Sequence, residues 1–246
     1  MERAWSRFHL TSIERRSIVR TVLGEAGTET GTAPVRDRRA EQRERTRDEI
    51  VAAAWERCRA EGLAGLSLRD LAAAVGMRAP SLYSYFDSKL AIYDAMFAEG
   101  CQQFLDEVAA LPRTGDTMTD LKTSLRHFVE FCASDHVRHQ LLFQRTIPGF
   151  EPSPESYAIS VQGLAVLAGW FRELGYDDPA DLDLATAIGS GLASQQISND
   201  PGGDRWLRLV DDAVEMLVAH LERKTETDTE TETKTKTKTK TSRGEP

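Results

Sequence analysis

Residues 67–89 read SLRDLAAAVGMRAPSLYSYFDSK, and this stretch decides the fold. Ser67 opens S-L-R-D, a capping-box pattern in which the Ser hydroxyl accepts from the Asp70 amide and the Asp side chain reaches back. The spacing predicts a helix from there to about Val75, stopped at Gly76. A second helix opens at Ala79 with Pro80 in its first turn, where a missing N–H costs nothing, and ends near Phe86. Asp87 or Ser88 then caps a longer helix from Lys89 to about Val108. Helix, glycine turn and short second helix make the shape of a helix-turn-helix. Two helices joined by a Gly turn are common as plain structure, so the side chains must distinguish this one. Leu68, Leu71, Ala72, Val75, Leu82 and Phe86 remain to hold the helices together. Ser67, Arg69, Arg78, Ser81, Tyr83, Ser84, Tyr85 and Lys89 are a dense run of donors that suits phosphates and base edges.

Working outward, residues 46–61 place Ile50, Ala53, Ala54 and Cys58 on one stripe, a supporting helix ended by Gly62. Beyond 90, helices are predicted at about 117–134, 137–146, 154–174, 179–197 and 203–223, punctuated by Asp116, Pro154, Pro179 and Pro201. No segment alternates with the period of a strand, so the fold class is all-α. Residues 1–40 form an N-terminal extension expected to lack order, ending in a Gly/Thr-rich stretch. The DNA-binding domain is drawn at 41–90 and a larger helical domain at 91–223. From 224 to 246 Thr alternates with Glu or Asp and then Lys, a low-complexity tail that offers no core and is expected to be disordered.

The net charge of −8 argues against nucleic acid only until it is divided by region. Residues 34–90 hold 11 Lys and Arg against 9 Asp and Glu, whereas residues 91–222 hold 8 against 21. A weakly basic front with an acidic back suits a chain that offers one end to phosphate. No apolar run approaches the length of a membrane span, and no secretory signal is evident in the Arg-scattered start, so a cytoplasmic location is expected. Cys58, Cys101 and Cys132 match neither a disulfide framework nor a metal knuckle. His136 and His139, beside Asp135, supply too few ligands for a metal site. No nucleophile set, P-loop or dinucleotide fingerprint is present, so neither an enzyme nor a cofactor is expected.

The stretch from Thr46 to Met96, TRDEIVAAAWERCRAEGLAGLSLRDLAAAVGMRAPSLYSYFDSKLAIYDAM, resembles the TetR family of regulators. It carries an A-A pair in the first helix, E-G-x-x-x-x-S-x-R-D-L-A, then G-x-x-x-x-x-L-Y-x-x-F-x-x-K. The resemblance implies an N-terminal three-helix DNA-binding domain followed by a larger ligand-binding and dimerisation domain. It places Arg69 where a helix-two residue reaches a base, and Arg78, Ala79, Pro80, Ser81 and Tyr83 where residues enter the major groove. Thr46, Ser67, Ser84, Tyr85 and Lys89 fall where family members touch the DNA backbone. Two departures stand out: Tyr85 replaces the usual His, and Arg57 replaces an apolar residue. Arg69 has the alternative of an ion pair with Asp70 or Glu49, and Lys89 that of a solvated surface charge.

A single reader binds one half-site weakly, so a homodimer on a palindromic double-stranded operator is expected. The interface is placed on the last two helices, at Gly189, Ala193, Trp206, Val210, Val214, Leu217 and Leu221, against the alternative of packing within one chain. Phe104, Leu121, Leu125, Phe128, Phe131, Leu142, Phe143, Trp170 and Phe171 are either core or, as the resemblance implies, the lining of a pocket for a small apolar or aromatic effector. The expected function is a ligand-responsive regulator, most simply a repressor released by its effector. The other reading is a helical ligand-binding or scaffold protein whose helix-turn-helix no longer contacts DNA.

Overall fold

The structure is a computed structural model that describes residues 38–241. The extension expected over 1–40 lies outside the described residues up to Arg38, as do the last five residues. Among the described residues there are nine α-helices and no strand: α1 Arg38–Glu61, α2 Leu68–Ala74, α3 Ala79–Leu82, α4 Lys89–Ala109, α5 Thr117–Ser134, α6 His136–Phe143, α7 Pro154–Glu173, α8 Pro179–Asn199 and α9 Val210–Thr241. Short 3-10 turns occupy Leu63–Gly65 and Leu207–Leu209. The helices group into two compact units, one comprising residues up to 110 with 135–166, the other 111–134 with 167 onward. None of these helices is long and apolar enough to cross a membrane.

In the first unit the stripe of α1 supplies Ile50, Val51, Ala54, Trp55 and Cys58 to a core shared with Leu71, Leu82, Phe86, Ile92, Tyr93 and Met96. Gly62 ends α1 with φ at 77°, a left-handed conformation that a side chain would strain, and donates to the Cys58 carbonyl at 2.8 Å. Gly76 does the same work between α2 and α3, with φ at 69°. Asp135 caps α6 by accepting from the Val137 and Arg138 amides at 3.1 and 3.0 Å, and its other oxygen pairs with Arg59 of α1 at 2.8 Å. Burial raises the pKa of Asp135, but the Arg138 amide and the Arg59 guanidinium outweigh it and hold the carboxyl below its usual range. Gly100 lets α4 and α6 come close, since a Cβ there would meet Leu142 at 2.9 Å. Asp94 fastens the start of α7 to α4, accepting from the Ser153 amide at 2.7 Å and the Ser156 hydroxyl at 2.9 Å.

The second unit packs α5, α8 and α9 around Val129, Cys132, Ala193 and Val210. The reversal from α8 to α9 hangs on one buried amide, Gln196. Its Nε2 donates to the carbonyls of Asp200 and Gly203, and its Oε1 accepts from the amides of Trp206 at 2.9 Å and Leu207 at 3.3 Å. Arg126 of α5 pairs with Asp211 of α9 at 2.8 Å, and Lys224 of α9 reaches Asp178 and Asp181 at 2.6 and 2.7 Å.

Three expectations change. The first helix starts at Arg38 rather than near residue 46, because RRAEQRERT contains no helix breaker and consists largely of good helix formers. The helix from Ala79 closes after one turn, and Tyr85 and Phe86 then donate separately to the Leu82 carbonyl at 2.9 Å each. The last helix does not stop at 223: α9 continues to Thr241 through the Thr-rich repeat expected to be disordered, since no Gly or Pro interrupts the chain there to break the hydrogen-bond ladder.

Candidate nucleic-acid interface

The helix-turn-helix separates its side chains by face. Leu71, Ala72, Leu82 and Phe86 are buried, while Arg69, Arg78, Pro80, Ser81, Tyr83 and Ser84 are exposed and Ala79 is half-buried. Ser67 caps α2 by accepting from the Asp70 amide at 3.4 Å, as its place in S-L-R-D implies. The Ser67 hydroxyl, then Arg69, hold the Asp70 carboxyl below its usual range. Arg69 stands 3.5 Å from Asp70 with its side chain 88% exposed, a pairing weak enough for a DNA base or phosphate to displace. Arg78 precedes α3, at the end where a helix entering a groove meets base edges first.

The flanks of this surface are fixed by cations. Lys89 begins α4, and its ammonium lies 3.4 Å from the Ala64 carbonyl and 5.5 Å from the centre of the Tyr93 ring. Tyr93 is buried and donates through its hydroxyl to the Leu63 carbonyl; burial pushes its phenol up to about 12. Burial likewise lifts the Cys58 thiol beneath it to about 11. On the other flank, Arg47 of α1 donates to the Tyr85 carbonyl and lies 4.2 Å from the centre of the Phe86 ring, while Arg43 covers the Tyr85 ring at 5.2 Å. Sequence reasoning passed over Arg43 and Arg47. Their signal was present, since positions 43, 47, 50 and 54 continue one helical face.

Thr46 stands apart from the other expected backbone contacts. It is 7% exposed and donates to the Gln42 carbonyl at 3.0 Å, because α1 starts two turns earlier and leaves Thr46 inside a helix instead of at its tip. The expected dimer residues are also placed otherwise. Val210, Val214, Leu217, Leu221, Gly189 and Ala193 are buried within the single chain, and Trp206 is half-buried. A Cβ on Gly189 would meet Leu125 of α5 at 3.0 Å, so the small residue and the broad apolar stripe serve packing inside the unit. What α8 and α9 leave outward is Leu184 and Met216.

The aromatic set expected to line one pocket is divided. Leu121, Leu125, Phe128, Phe131, Trp170 and Phe171 belong to the second unit, where Leu121, Phe131, Trp170 and Phe171 are buried. Phe104, Leu142 and Phe143 belong to the first, where the Phe104 and Phe143 rings meet edge-on at 6.4 Å. A cavity of about 240 Å³ lies in that first unit, and of the expected residues only Leu142 and Phe143 line it. Its other apolar walls are Phe97, Leu141, Ile147 and Phe150, and its polar ones include Gln144, Arg145 and Tyr157. His136 is exposed and His139 buried, with the His139 ring 5.8 Å from Phe143 and its Nε2 3.1 Å from Gln144, so the two histidines do not converge.

Comparison with known proteins agrees with this geometry. Residues 50–96 match the bacterial regulatory proteins of the tetR family. The whole fold is similar to a tetR-family transcriptional regulator from Streptomyces coelicolor, 20% identical, covering 72% of this chain and 80% of that one with a TM-score of 0.56. It is similar also to the fatty acid degradation regulator FadR of Bacillus halodurans, 19% identical over 70% and 94% of the two chains, with a TM-score of 0.54. The regulator FadR of Bacillus subtilis in complex with stearoyl-CoA is 16% identical over 70% and 97%, with a TM-score of 0.52. Residues 50–96 are a tetR-family regulatory domain, and the chain that carries it has the all-helical fold of that family's transcriptional regulators.

Proposed function

We propose that this protein is a DNA-binding transcriptional regulator that reads a palindromic operator as a homodimer and is released from it by a small apolar effector. The observation that carries the reading is the division of residues 67–89 into a buried face and an exposed one. Arg69, Arg78, Ser81, Tyr83 and Ser84 crowd the exposed face, which no packing requirement of α2 and α3 explains. The groove admits one helix, and these are the donors it would meet. Release by a ligand is supported by the cavity in the same unit as the reader and by the stearoyl-CoA held by the relative from Bacillus subtilis. Such release requires the effector to prefer the conformation whose reading heads are wrongly set. In a two-fold dimer the outward residues of α8 and α9, Leu184 and Met216, are the contacts available.

Selection of binding sites from a random duplex pool tests the reading. The selected duplexes should contain an inverted repeat, and affinity should fall steeply with salt, as neutralised phosphates require. Uniform, salt-insensitive retention of the pool would instead favour a helical binding protein that has lost contact with DNA.

A further inference from the structure

The cavity of the first unit has a definite chemistry. Phe97 of α4, Leu141, Leu142 and Phe143 of α6, and Ile147 and Phe150 beyond it make it apolar. Arg145 contributes the one charge among its lining residues, and no carboxylate stands among them. A dry cavity of roughly 150 Å³ holds benzene. About 240 Å³ therefore accommodates a single ring with a short substituent, and falls below the size of typical drug-sized ligand sites. The wall composition adds that the substituent is acidic, since a carboxylate gains a charge-assisted partner in Arg145.

The same cavity is connected to the reader through one residue that it does not contain. The Phe150 ring meets Phe97 at 6.4 Å and, edge-on, Tyr93 at 6.0 Å. Tyr93 is 1% exposed, and its hydroxyl holds the Leu63 carbonyl. Leu63 opens the 3-10 turn that leads to Ser67, the cap of α2. The next carbonyl, that of Ala64, is held by Lys89, whose ammonium rests over the same Tyr93 ring. Two carbonyls of the turn leading into the reader are thus tethered to α4 at the ring that Phe150 supports. A buried carbonyl that loses its donor is destabilised, so a ligand that moves Phe150 alters the turn and with it the angle of α2.

We propose that this cavity is an effector site for a monocyclic apolar acid, with Arg145 as the carboxylate partner, and that occupancy reaches the reader through Phe150, Tyr93 and the Leu63 carbonyl. The proposal names the ligand class and the route for the regulator described above and rests on that reading. Its test uses the full chain, a duplex obtained by selection, and benzoate, phenylacetate and phenylacetamide as probes. Calorimetry should show the acids binding about tenfold or more tighter than the amide, and Arg145→Gln should remove that preference. Either acid should weaken duplex binding by about fivefold or more. Tyr93→Phe, which loses only the hydroxyl, should bind the acids within about twofold of the parent while their effect on duplex binding falls below about twofold. Should Tyr93→Phe not fold, Phe150→Leu takes its place and should likewise uncouple acid from duplex. The proposal is overturned if neither acid binds below about 1 mM, if the amide binds as well as the acids, or if Arg145→Gln keeps the preference. Undiminished release in the uncoupling variant also overturns it. A chain that binds no duplex fails as a regulator, and the calorimetry with the three probes still decides whether the cavity takes acids.

Discussion

Arg47 of α1 donates a hydrogen bond to the backbone carbonyl of Tyr85 and sets its guanidinium 4.2 Å from the centre of the Phe86 ring. The bond spans 38 residues of sequence and ties the end of the reading segment to the supporting helix. Arg47→Met keeps the aliphatic stem but removes the donor and the cation over the ring. It should cost about 1–2 kcal/mol of stability, or roughly 2–8 °C of melting temperature. Selected duplex should lose more affinity than random duplex, because the groove-facing residues lose their register while the other cations remain. Equal losses on both duplexes would make Arg47 a phosphate contact rather than a positioning residue.

Arg69 and Lys89 should leave different signatures. Arg69 is the more exposed of the two and is held only by Asp70, so Arg69→Ala should cost about 1–3 kcal/mol per half-site on selected duplex and relax preference at one base position. Lys89→Ala should weaken selected and random duplex alike and reduce the salt slope by roughly 1 for each phosphate lost. Isotherms at several salt concentrations separate these outcomes. Unchanged base preference in Arg69→Ala would move the reading of sequence wholly to Arg78 and α3.

Met216 and Leu217 are neighbours on α9 with opposite surroundings, 64% and 5% exposed. Leu217→Arg buries an unpaired charge, at a cost of several kcal/mol, and should lose folded protein. Met216→Glu should keep the circular dichroism and melting of the parent, and sedimentation should show a shift from dimer to monomer. A Met216→Glu dimer as tight as the parent would place the interface away from this face.

Acid should destabilise the first unit through His139. Burial holds the pKa of this ring below its ordinary value of 6.5. Below that value the unfolded chain takes a proton that the folded ring resists, so the contribution is whole above about pH 6.5 and is lost as pH falls through the folded pKa. His139→Phe should flatten the decline of the urea midpoint between about pH 7 and pH 5.5. An unaltered slope would assign the decline to other groups.

Much of this was legible in the sequence. The Ser67 cap, the stop at Gly76, Pro80 in the first turn and the Ser88 cap are local signals, and each was found where local chemistry put it. Position relative to a partner helix was harder to read. The stripe of Val210, Val214, Leu217 and Leu221 reads identically whether it faces its own chain or a second one, and only the packing of α5 and α8 against it shows the former. The aromatic residues were similarly ambiguous, because residues 135–166 join the first unit although α5 before them belongs to the second. Arg43 and Arg47 were hidden by composition, standing in a run of charges that reads as a solvated face.

The clamp that Asp94 makes on Ser153 and Ser156 has a consequence for how this protein diversifies. Residues 144–152 hang between the end of α6 and that clamp, and five of them, Gln144, Arg145, Ile147, Phe150 and Pro152, line the cavity. With both ends anchored, the segment behaves as an exchangeable cassette. Its side chains are free to change from one descendant to the next while its length is not, so new chemical tastes arise there by substitution and not by insertion.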